Sequence, residues 1–227
     1  MAKRFITILL SIAQFGLSQQ GQAPGTRKSG SVKFENDNLR IVSFKMNPHE
    51  SVGRHNVHPQ ATVFLTDSSA RWTSADGSTR EYHAKAGQTR WTDGGDFAVQ
   101  LLNDHSAEMI AVQLKAGLPM AAIGWPVIQR SKPGGVEFEN NRLRILRFVI
   151  APSGKAAVPG FAPSVAVLLT PGEVKFMFPD SRSEKLSLKA GDFVWKPGGV
   201  VEMENRGDQR IEIILIQVAP DRLAPIE

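Results

Sequence analysis

The sequence predicts an all-β chain built from two tandem copies of one small barrel. A segment beginning at position 32, Val32-Lys-Phe-Glu-Asn36, returns at position 136 as Val136-Glu-Phe-Glu-Asn140, an offset of 104 residues. The 20 glycines and 14 prolines supply residues for many turns. No segment carries a helical period over three turns, whereas short alternating and β-branched runs recur. Short strands separated by turns are typical of β-sandwiches and small barrels.

The first 18 residues have the layout of a secretory signal peptide. A basic start precedes an apolar run over residues 5–15, and Gly16-Leu17-Ser18 offers a small-x-small cleavage pattern. The alternative is a membrane anchor, which the shortness of the run disfavours because the hydrocarbon core of a bilayer is about 30 Å thick. We therefore expect a secreted protein, periplasmic or extracellular, with no membrane contact after signal removal. Residues 19–31 are predicted to be a flexible lead-in.

Composition excludes several classes of function. The chain has 227 residues, no cysteine and a formal net charge of +5. Disulfides, thiolate nucleophiles and Cys-ligated zinc are therefore absent. We expect no nucleic-acid binding, because the basic residues form no stripe with interleaved aromatic residues. The sequence also lacks a nucleophile elbow, a Walker motif and a dinucleotide fingerprint.

The constant offset defines two units, residues 32–115 and 136–219. Residues 116–135 contain three prolines and are predicted to be a linker anchored by Trp125, and residues 220–227 a C-terminal tail. Further matches across the offset are Leu39-Arg40-Ile41 with Leu143-Arg144-Ile145, Lys85-Ala86-Gly87 with Lys189-Ala190-Gly191, and Trp91 with Trp195. The recurring tryptophans indicate a packing role in each barrel.

Each unit is predicted to consist of strands joined by tight turns. Residues 143–150 are apolar on both faces of a strand, and residues 211–218 form a β-branched run. Asp76-Gly77 and Pro179-Asp180 mark matching hairpins, and Thr170-Pro171-Gly172 marks a further turn.

Three features follow one another in the first unit. A strand over Leu39–Met46 leads to a Pro turn and to the segment Arg54-His55-Asn56-Val57-His58-Pro59, after which residues 61–66 form an apolar strand. The pattern Ala-Gly-x-x-x-Trp-x-x-Gly-Gly then occurs at 86–95 and again at 190–199. In these features each unit resembles the cupin superfamily, and the chain resembles a bicupin with two tandem jelly-roll barrels. The turn at 196–199 and Asn205 are also similar to the second cupin motif.

The resemblance implies a fold but no single function, because this fold hosts dioxygenases, isomerases, decarboxylases, storage proteins and sugar sensors. A typical cupin site has three His and one Glu around Fe, Mn, Ni or Zn. The family spacing His-x-His places both rings on one face of a strand. Here the spacing is His55-x-x-His58, which requires a β-bulge if both rings are to point inward.

The other ligand positions also depart from the family pattern. Gln60 or Thr62 stands near the usual carboxylate, and the second-motif histidine falls on Phe97 or Ala98. No cofactor is assigned, and a divalent Fe, Mn, Ni or Zn ion stays open. The candidate metal ligands are His55, His58, Gln60 and Asp96. The candidate lining of a metal-free small-molecule pocket is His55, His58, Gln60 and Phe97.

The second unit is predicted to be structural. All five histidines lie in the first half of the chain, and the positions that match His55 and His58 are Pro159 and Ala162. Side chains of this kind bury apolar surface and do not ligate transition metals. The second-motif position falls on Val201 or, by a stricter count, on Glu202, and Glu202 is expected, with Glu204 on the same strand face, to face solvent.

Arg40 and Arg144 match across the repeat, and Glu35 and Glu139 lie close to them in sequence. A surface ion pair in each unit, or a brace between the repeats, explains this pattern better than catalysis.

Three functional classes remain open at this level. The first is a non-catalytic bicupin that binds a small molecule in its first unit, the second a metal-dependent dioxygenase- or isomerase-like enzyme, and the third a structural or interaction protein. Because a bicupin resembles two single cupins fused into one chain, a monomer is expected, and a homodimer stays open.

Overall fold

A computed structural model describes residues 30–115, 125, 134–160 and 162–219. The predicted signal peptide at 1–18, residues 19–29 of the lead-in and the tail at 220–227 lie outside the described residues, as does most of the linker.

Both repeats fold into the same series of strands. The first forms β1 (Gly30–Glu35), β2 (Leu39–Met46), β3 (Ser51–Val57), β4 (Gln60–Phe64), β5 (Ser68–Ser74), β6 (Thr79–Ala84), β7 (Thr89–Thr92), β8 (Gly95–Leu101) and β9 (Ala107–Leu114). The second forms β10 (Gly134–Glu139), β11 (Leu143–Ile150), β12 (Lys155–Ala157), β13 (Ser164–Leu168), β14 (Gly172–Met177), β15 (Ser183–Leu188), β16 (Phe193–Lys196), β17 (Glu202–Asn205) and β18 (Ile211–Val218).

Each repeat is a two-sheet jelly-roll barrel. In the first, the sheet β1-β2-β9-β4-β7 accompanies the sheet β3-β8-β5-β6; in the second, β10-β11-β18-β13-β16 accompanies β12-β17-β14-β15. The register repeats with the sequence, since Leu39 lies opposite Leu114 and Leu143 opposite Val218. The prediction of an all-β chain with two jelly-roll barrels is confirmed. Within the described ranges no helix has the length and apolar character needed to cross a membrane.

The predicted hairpin turns lie between paired strands. The turn at Asp76-Gly77 joins β5 to β6, and the turn at Pro179-Asp180 joins β14 to β15. Gly77 has a φ of 84°, a left-handed conformation that glycine adopts without steric cost.

The two barrels bury a common apolar face. Alternation along each strand sends one set of side chains into the barrel and the other set toward the partner barrel. Seven residues of each barrel form this shared face, and each has its counterpart 104 positions away. They are Leu39, Ile41, Ala61, Val63, Ile110, Val112 and Leu114 with Leu143, Ile145, Val165, Val167, Ile214, Ile216 and Val218. Full burial of a Val, Leu or Ile side chain contributes about 1.5–3 kcal/mol.

Reciprocal aromatic contacts edge the shared face. The rings of Phe34 and Trp195 lie 6.0 Å apart, and those of Trp91 and Phe138 lie 5.9 Å apart. Each tryptophan therefore packs against an aromatic ring of the other barrel as well as against its own barrel. The sequence pattern alone does not reveal this contact between the barrels.

A polar tie joins the barrels beside these rings. Thr89 donates to a Glu137 carboxylate oxygen at 2.6 Å, and Arg147 binds Glu137, Glu212 and the Gly87 carbonyl. Burial opposes the charge of Arg147, but its hydrogen bonds to the two carboxylates outweigh this and raise its pKa.

The second barrel is filled by its own apolar core. Leu146, Phe148, Val174, Phe176 and Met203 point into it, and Phe148 is only 2% exposed. The second barrel therefore has the close packing that is usual in protein interiors.

The predicted surface position of Arg144 is wrong. Arg144 is 1% exposed, binds Glu139 at 2.6 Å and lies 4.9 Å below the Trp125 ring. The indole N–H of Trp125 donates to the Asn140 carbonyl at 2.6 Å, so this linker residue is attached to the second barrel. The even-numbered residues of β11 point into the barrel, and Arg144 belongs to that face.

Candidate functional site

The first barrel encloses a cavity of about 640 Å³ between its two sheets. Its polar lining comprises Arg40, His55, Asn56, His58, Gln60, Thr62, Ser68, Tyr82, Arg90, Thr92 and Gln113. Its apolar lining includes Val42, Phe44, Met46, Val52, Phe64, Ala70, Trp72, Ala84, Val99 and Met109. The cavity therefore has many apolar walls and a limited set of polar groups, as ligand sites usually do.

Some positions that line the cavity carry smaller side chains in the first barrel than in the second. Phe44 is partly exposed to the cavity, although its counterpart Phe148 is buried. The barrels also differ in backbone, because β3 and β8 have seven residues each, whereas the matching strands β12 and β17 have three and four. Three lining residues have a larger counterpart in the second barrel. The pairs are Val42 with Leu146, Ala70 with Val174, and Ala84 with Leu188.

A row of four polar side chains crosses the sheet on the cavity side. Arg40 on β2 lies opposite Gln113 on β9, Gln113 lies opposite Gln60 on β4, and Gln60 lies opposite Thr92 on β7. Gln113 donates from Nε2 to Gln60 Oε1 at 2.8 Å, and Gln60 donates to the Thr62 hydroxyl at 3.3 Å. We call Arg40, Gln113, Gln60 and Thr92 the polar row.

Arg40 lies against a neutral histidine. Its Nη2 donates to His58 Nε2 at 2.6 Å, and because a guanidinium cannot accept, the ring proton of His58 is on Nδ1. Burial and, next, the positive charge of Arg40 lower the pKa of His58. Arg40 Nε is shielded from solvent and has no hydrogen-bond partner among the described residues. An unsatisfied buried donor costs about 1–3 kcal/mol.

A single substitution between the repeats explains why Arg40 lacks the carboxylate that Arg144 has. Arg144 binds Glu139, but the matching acid, Glu35, binds Lys115 at 2.8 Å. The counterpart of Lys115 in the second repeat is Ala219, which cannot compete for the acid. The hydrogen bond and charge of Lys115 lower the pKa of Glu35, and the charge of Arg40 adds only a smaller contribution.

Arg90 is a second cation at the cavity. Its guanidinium lies 4.3 Å from the centre of the Tyr82 ring and 5.6 Å from that of Phe64. Burial lowers the pKa of Arg90, and Tyr82 opposes this change. Among the described residues that line the cavity, none is Asp or Glu. The site therefore carries two positive charges with no carboxylate of its own.

The structure brings three of the candidate site residues together and leaves two aside. His55, His58 and Gln60 line the cavity. The pairing of β3 with β8 shifts register between Val52 and His55 and not between the two histidines; His58 instead lies beyond the end of β3 at Val57, where strand alternation no longer applies. Phe97 does not line the cavity and packs on Trp72 with 5.2 Å between ring centres. Asp96 also lies outside it and accepts from the Asn56 amide at 3.3 Å.

The donors present do not fit a cupin metal centre. His58 Nε2 is bonded to Arg40, whose positive charge would repel a dication. His55 is exposed and donates from Nδ1 to the Gly53 carbonyl at 2.8 Å. Across the described ranges no three His, Cys, Asp or Glu side chains are grouped closely enough to hold a metal ion.

The matching end of the second barrel is closed by ion pairs and by apolar residues. Glu202 binds Lys155 at 3.0 Å, and Glu204 binds Arg206 at 2.8 Å. The Glu204 side chain is only 9% exposed, so the expectation that it faces solvent is wrong. In the strand register Glu204 lies opposite Lys155 of β12, and its carboxylate binds the neighbouring Arg206.

Acidification is expected to weaken the fold through His58. Because its pKa is lowered, the unfolded chain takes up a proton at a higher pH than the folded barrel does. Its contribution to stability is therefore complete above the ordinary value of 6.5 and is lost as the pH falls below it. The free energy of unfolding should fall more steeply from about pH 7 to pH 5 in the wild type than in His58→Gln. His83→Gln, at an exposed histidine, should follow the wild type, and equal slopes in wild type and His58→Gln would contradict this.

Comparisons with known proteins are limited to structure. No family model and no curated protein matches the sequence. The structure is similar to AerE from Microcystis aeruginosa, with a TM-score of 0.58, 12% identity and coverage of 84% of this chain and 97% of that chain. It is similar to the Lactobacillus farciminis oxalate decarboxylase formate complex, with a TM-score of 0.56, 12% identity and coverage of 81% and 78%. A cupin 2 conserved barrel domain protein from Leptotrichia buccalis gives a TM-score of 0.51, 10% identity and coverage of 83% and 88%.

Proposed function

Because the chain has the two-barrel fold of a bicupin, we propose that it is a secreted protein that binds a small molecule in its first barrel, with the second barrel as a structural partner. The signal-peptide pattern of residues 1–18 supports export.

The observation that carries the proposal is the contrast between a hollow and a filled barrel in one chain. The second barrel has a full apolar core in the same fold. The first barrel instead keeps a cavity of about 640 Å³, within the range of about 300–1,000 Å³ that is usual for small-molecule sites. An empty cavity costs stability, and a ligand that fills it recovers the lost contacts.

A neutral fluorescent probe tests whether the cavity binds. N-phenyl-1-naphthylamine should bind to the purified protein with one site per chain and with enhanced emission. A filled variant, Val42→Leu/Ala70→Val/Ala84→Leu, carries the side chains of the second barrel at three lining positions. It should bind the probe at least about ten-fold more weakly while its melting temperature stays equal or rises.

The matched control makes the same three types of substitution on the surface. Val136→Leu/Ala86→Val/Ala75→Leu alters exposed positions outside the cavity lining and should bind like the wild type. Binding that is equal in the filled variant and the wild type would overturn the proposal.

The alternative is a metal-dependent enzyme, favoured by the presence of His55 and His58 in one cavity. Elemental analysis of the purified protein separates the two functions. The binding proposal expects clearly less than one equivalent of Fe, Mn, Ni or Zn per chain. About one equivalent, lost in His58→Ala, would establish the enzyme alternative instead.

A further inference from the structure

If the first barrel binds a small molecule as proposed, we infer that its ligand is an organic carboxylate: an apolar body bearing a carboxylate that binds at Arg40. The inference therefore rests on the proposed function and names the chemical class of the ligand.

The charge of the cavity is the first observation. Arg40 and Arg90 line it, and no Asp or Glu of the part of the chain that the structure describes does. Glu35, the acid nearest to Arg40 in the pattern of the repeat, is bound to Lys115. The partner that Arg40 does have, His58, accepts a hydrogen bond as a neutral ring and brings no negative charge. An anionic ligand would supply the missing counter-charge.

The second barrel shows what the same position does when an acid is present. There the matching guanidinium of Arg144 holds the Glu139 carboxylate at 2.6 Å. The two arginines occupy equivalent places on β2 and β11, opposite Gln113 and Gln217. In the first barrel the matching carboxylate, Glu35, binds Lys115 instead of Arg40.

One donor of Arg40 is unsatisfied. Its Nε is shielded from solvent and unpaired among the described residues, and the Arg40 side chain lines the cavity. A carboxylate that enters the cavity and draws this edge of the guanidinium toward itself would satisfy the donor. The neighbouring Gln113 and Gln60 amides belong to the same polar row.

The rest of the cavity selects the body of the ligand. Four residues along each strand from the polar row, Phe44, Met109 and Phe64 form an apolar row on β2, β9 and β4. Trp72 and Val52 line the cavity from the other sheet. A charged head beside Arg40 therefore places the remainder of the molecule against apolar and aromatic walls, which fits an aliphatic or aromatic acid better than a polyol or a highly charged phosphate ester.

Displacement of N-phenyl-1-naphthylamine tests the inference with matched acids and amides. Hexanoate and benzoate should displace the bound probe at concentrations at least about ten-fold lower than hexanamide and benzamide, which have the same bodies without the charge. Arg40→Gln should remove most of this preference while the amides keep their affinity. Arg40→Lys should retain part of it, because the charge remains.

Arg71→Gln is the control variant, since Arg71 belongs to the same barrel but is exposed, pairs with Glu81 and does not line the cavity. It should preserve the acid preference. Salt provides a measurement on the unaltered protein: added salt should weaken the acids and leave the amides unchanged.

The outcomes separate the two proposals. Two results would overturn the inference of a carboxylate ligand and leave the binding function in place. They are equal displacement by acids and amides in the wild type, and an acid preference that survives in a folded Arg40→Gln variant. A probe that does not bind, or that binds equally to the filled variant, would overturn the binding function itself.

Discussion

A fragment of residues 19–118, which lacks the second repeat, is expected to aggregate or to lose its cooperative unfolding transition. Removal of the second barrel exposes the seven apolar residues of the first barrel that form the shared face. Packing inside the first barrel offsets little of this lost stabilisation, because its interior is a cavity rather than a filled core. Size-exclusion chromatography and thermal unfolding followed by circular dichroism measure the result. A soluble monomer with a cooperative transition would contradict the expectation.

A point substitution tests the same face in the full chain. Ile216→Asp places a charge among fully buried apolar residues and should lower the melting temperature sharply or prevent folding. Val136→Asp is the matched control, because Val136 is 45% exposed in the same barrel, and it should have a small effect. Similar effects of the two substitutions would show that the shared face does not hold the barrels together.

The fold was predictable because the repeat signal and the strand signal agree. A constant offset, turn residues between short apolar runs and the absence of helical periods all favour two equal barrels. The apolar interior of the second barrel was also predictable, because Pro159 and Ala162 stand at the positions that match His55 and His58. The volume of the first cavity could not be predicted from the sequence. It depends on the combined effect of several modest differences in side-chain size, such as Ala84 against Leu188.

The site was predictable only in part, because its chemistry depends on pairing across strands. Arg40 and Arg144 look alike in the sequence, and each has an acid at the same spacing. The difference lies at Lys115, distant in sequence, which binds Glu35 and leaves Arg40 to His58. The difference between Lys115 and Ala219 is visible in the aligned repeats. Only the register of β2 with β9 shows that Lys115, which follows β9, lies close to the start of β2 and to Arg40. Phe97 was assigned to the pocket on the count along one turn, whereas its ring packs on Trp72.

Loss of Asn205 should produce the second large effect, on the stability of the second barrel. The sequence indicates Asn205 only as a residue similar to one in the second cupin motif. In the structure it is fully buried, and its amide donates to the carbonyls of Ile150, Ala151 and Gln209 at 3.1, 3.1 and 2.7 Å. Its Oδ1 accepts from the Gly207 N–H at 3.0 Å. One side chain thereby joins the end of β11 to the turn between β17 and β18.

Asn205→Ala is therefore expected to lower the free energy of unfolding by about 2–4 kcal/mol, because it removes the donor of one buried and two partly buried carbonyls and the acceptor of the Gly207 N–H, and opens a small void. Urea titration of the full chain measures this change. Asn205→Asp preserves the volume and the acceptor for Gly207 but removes the donors and sets a carboxylate against three carbonyls. It should be at least as destabilised near neutral pH, and the deficit should shrink in mild acid, where a protonated carboxyl can donate again. If Asn205→Asp were as stable as the wild type, shape alone would explain the residue; a deficit that follows protonation assigns its role to the hydrogen bonds that close this end of the barrel.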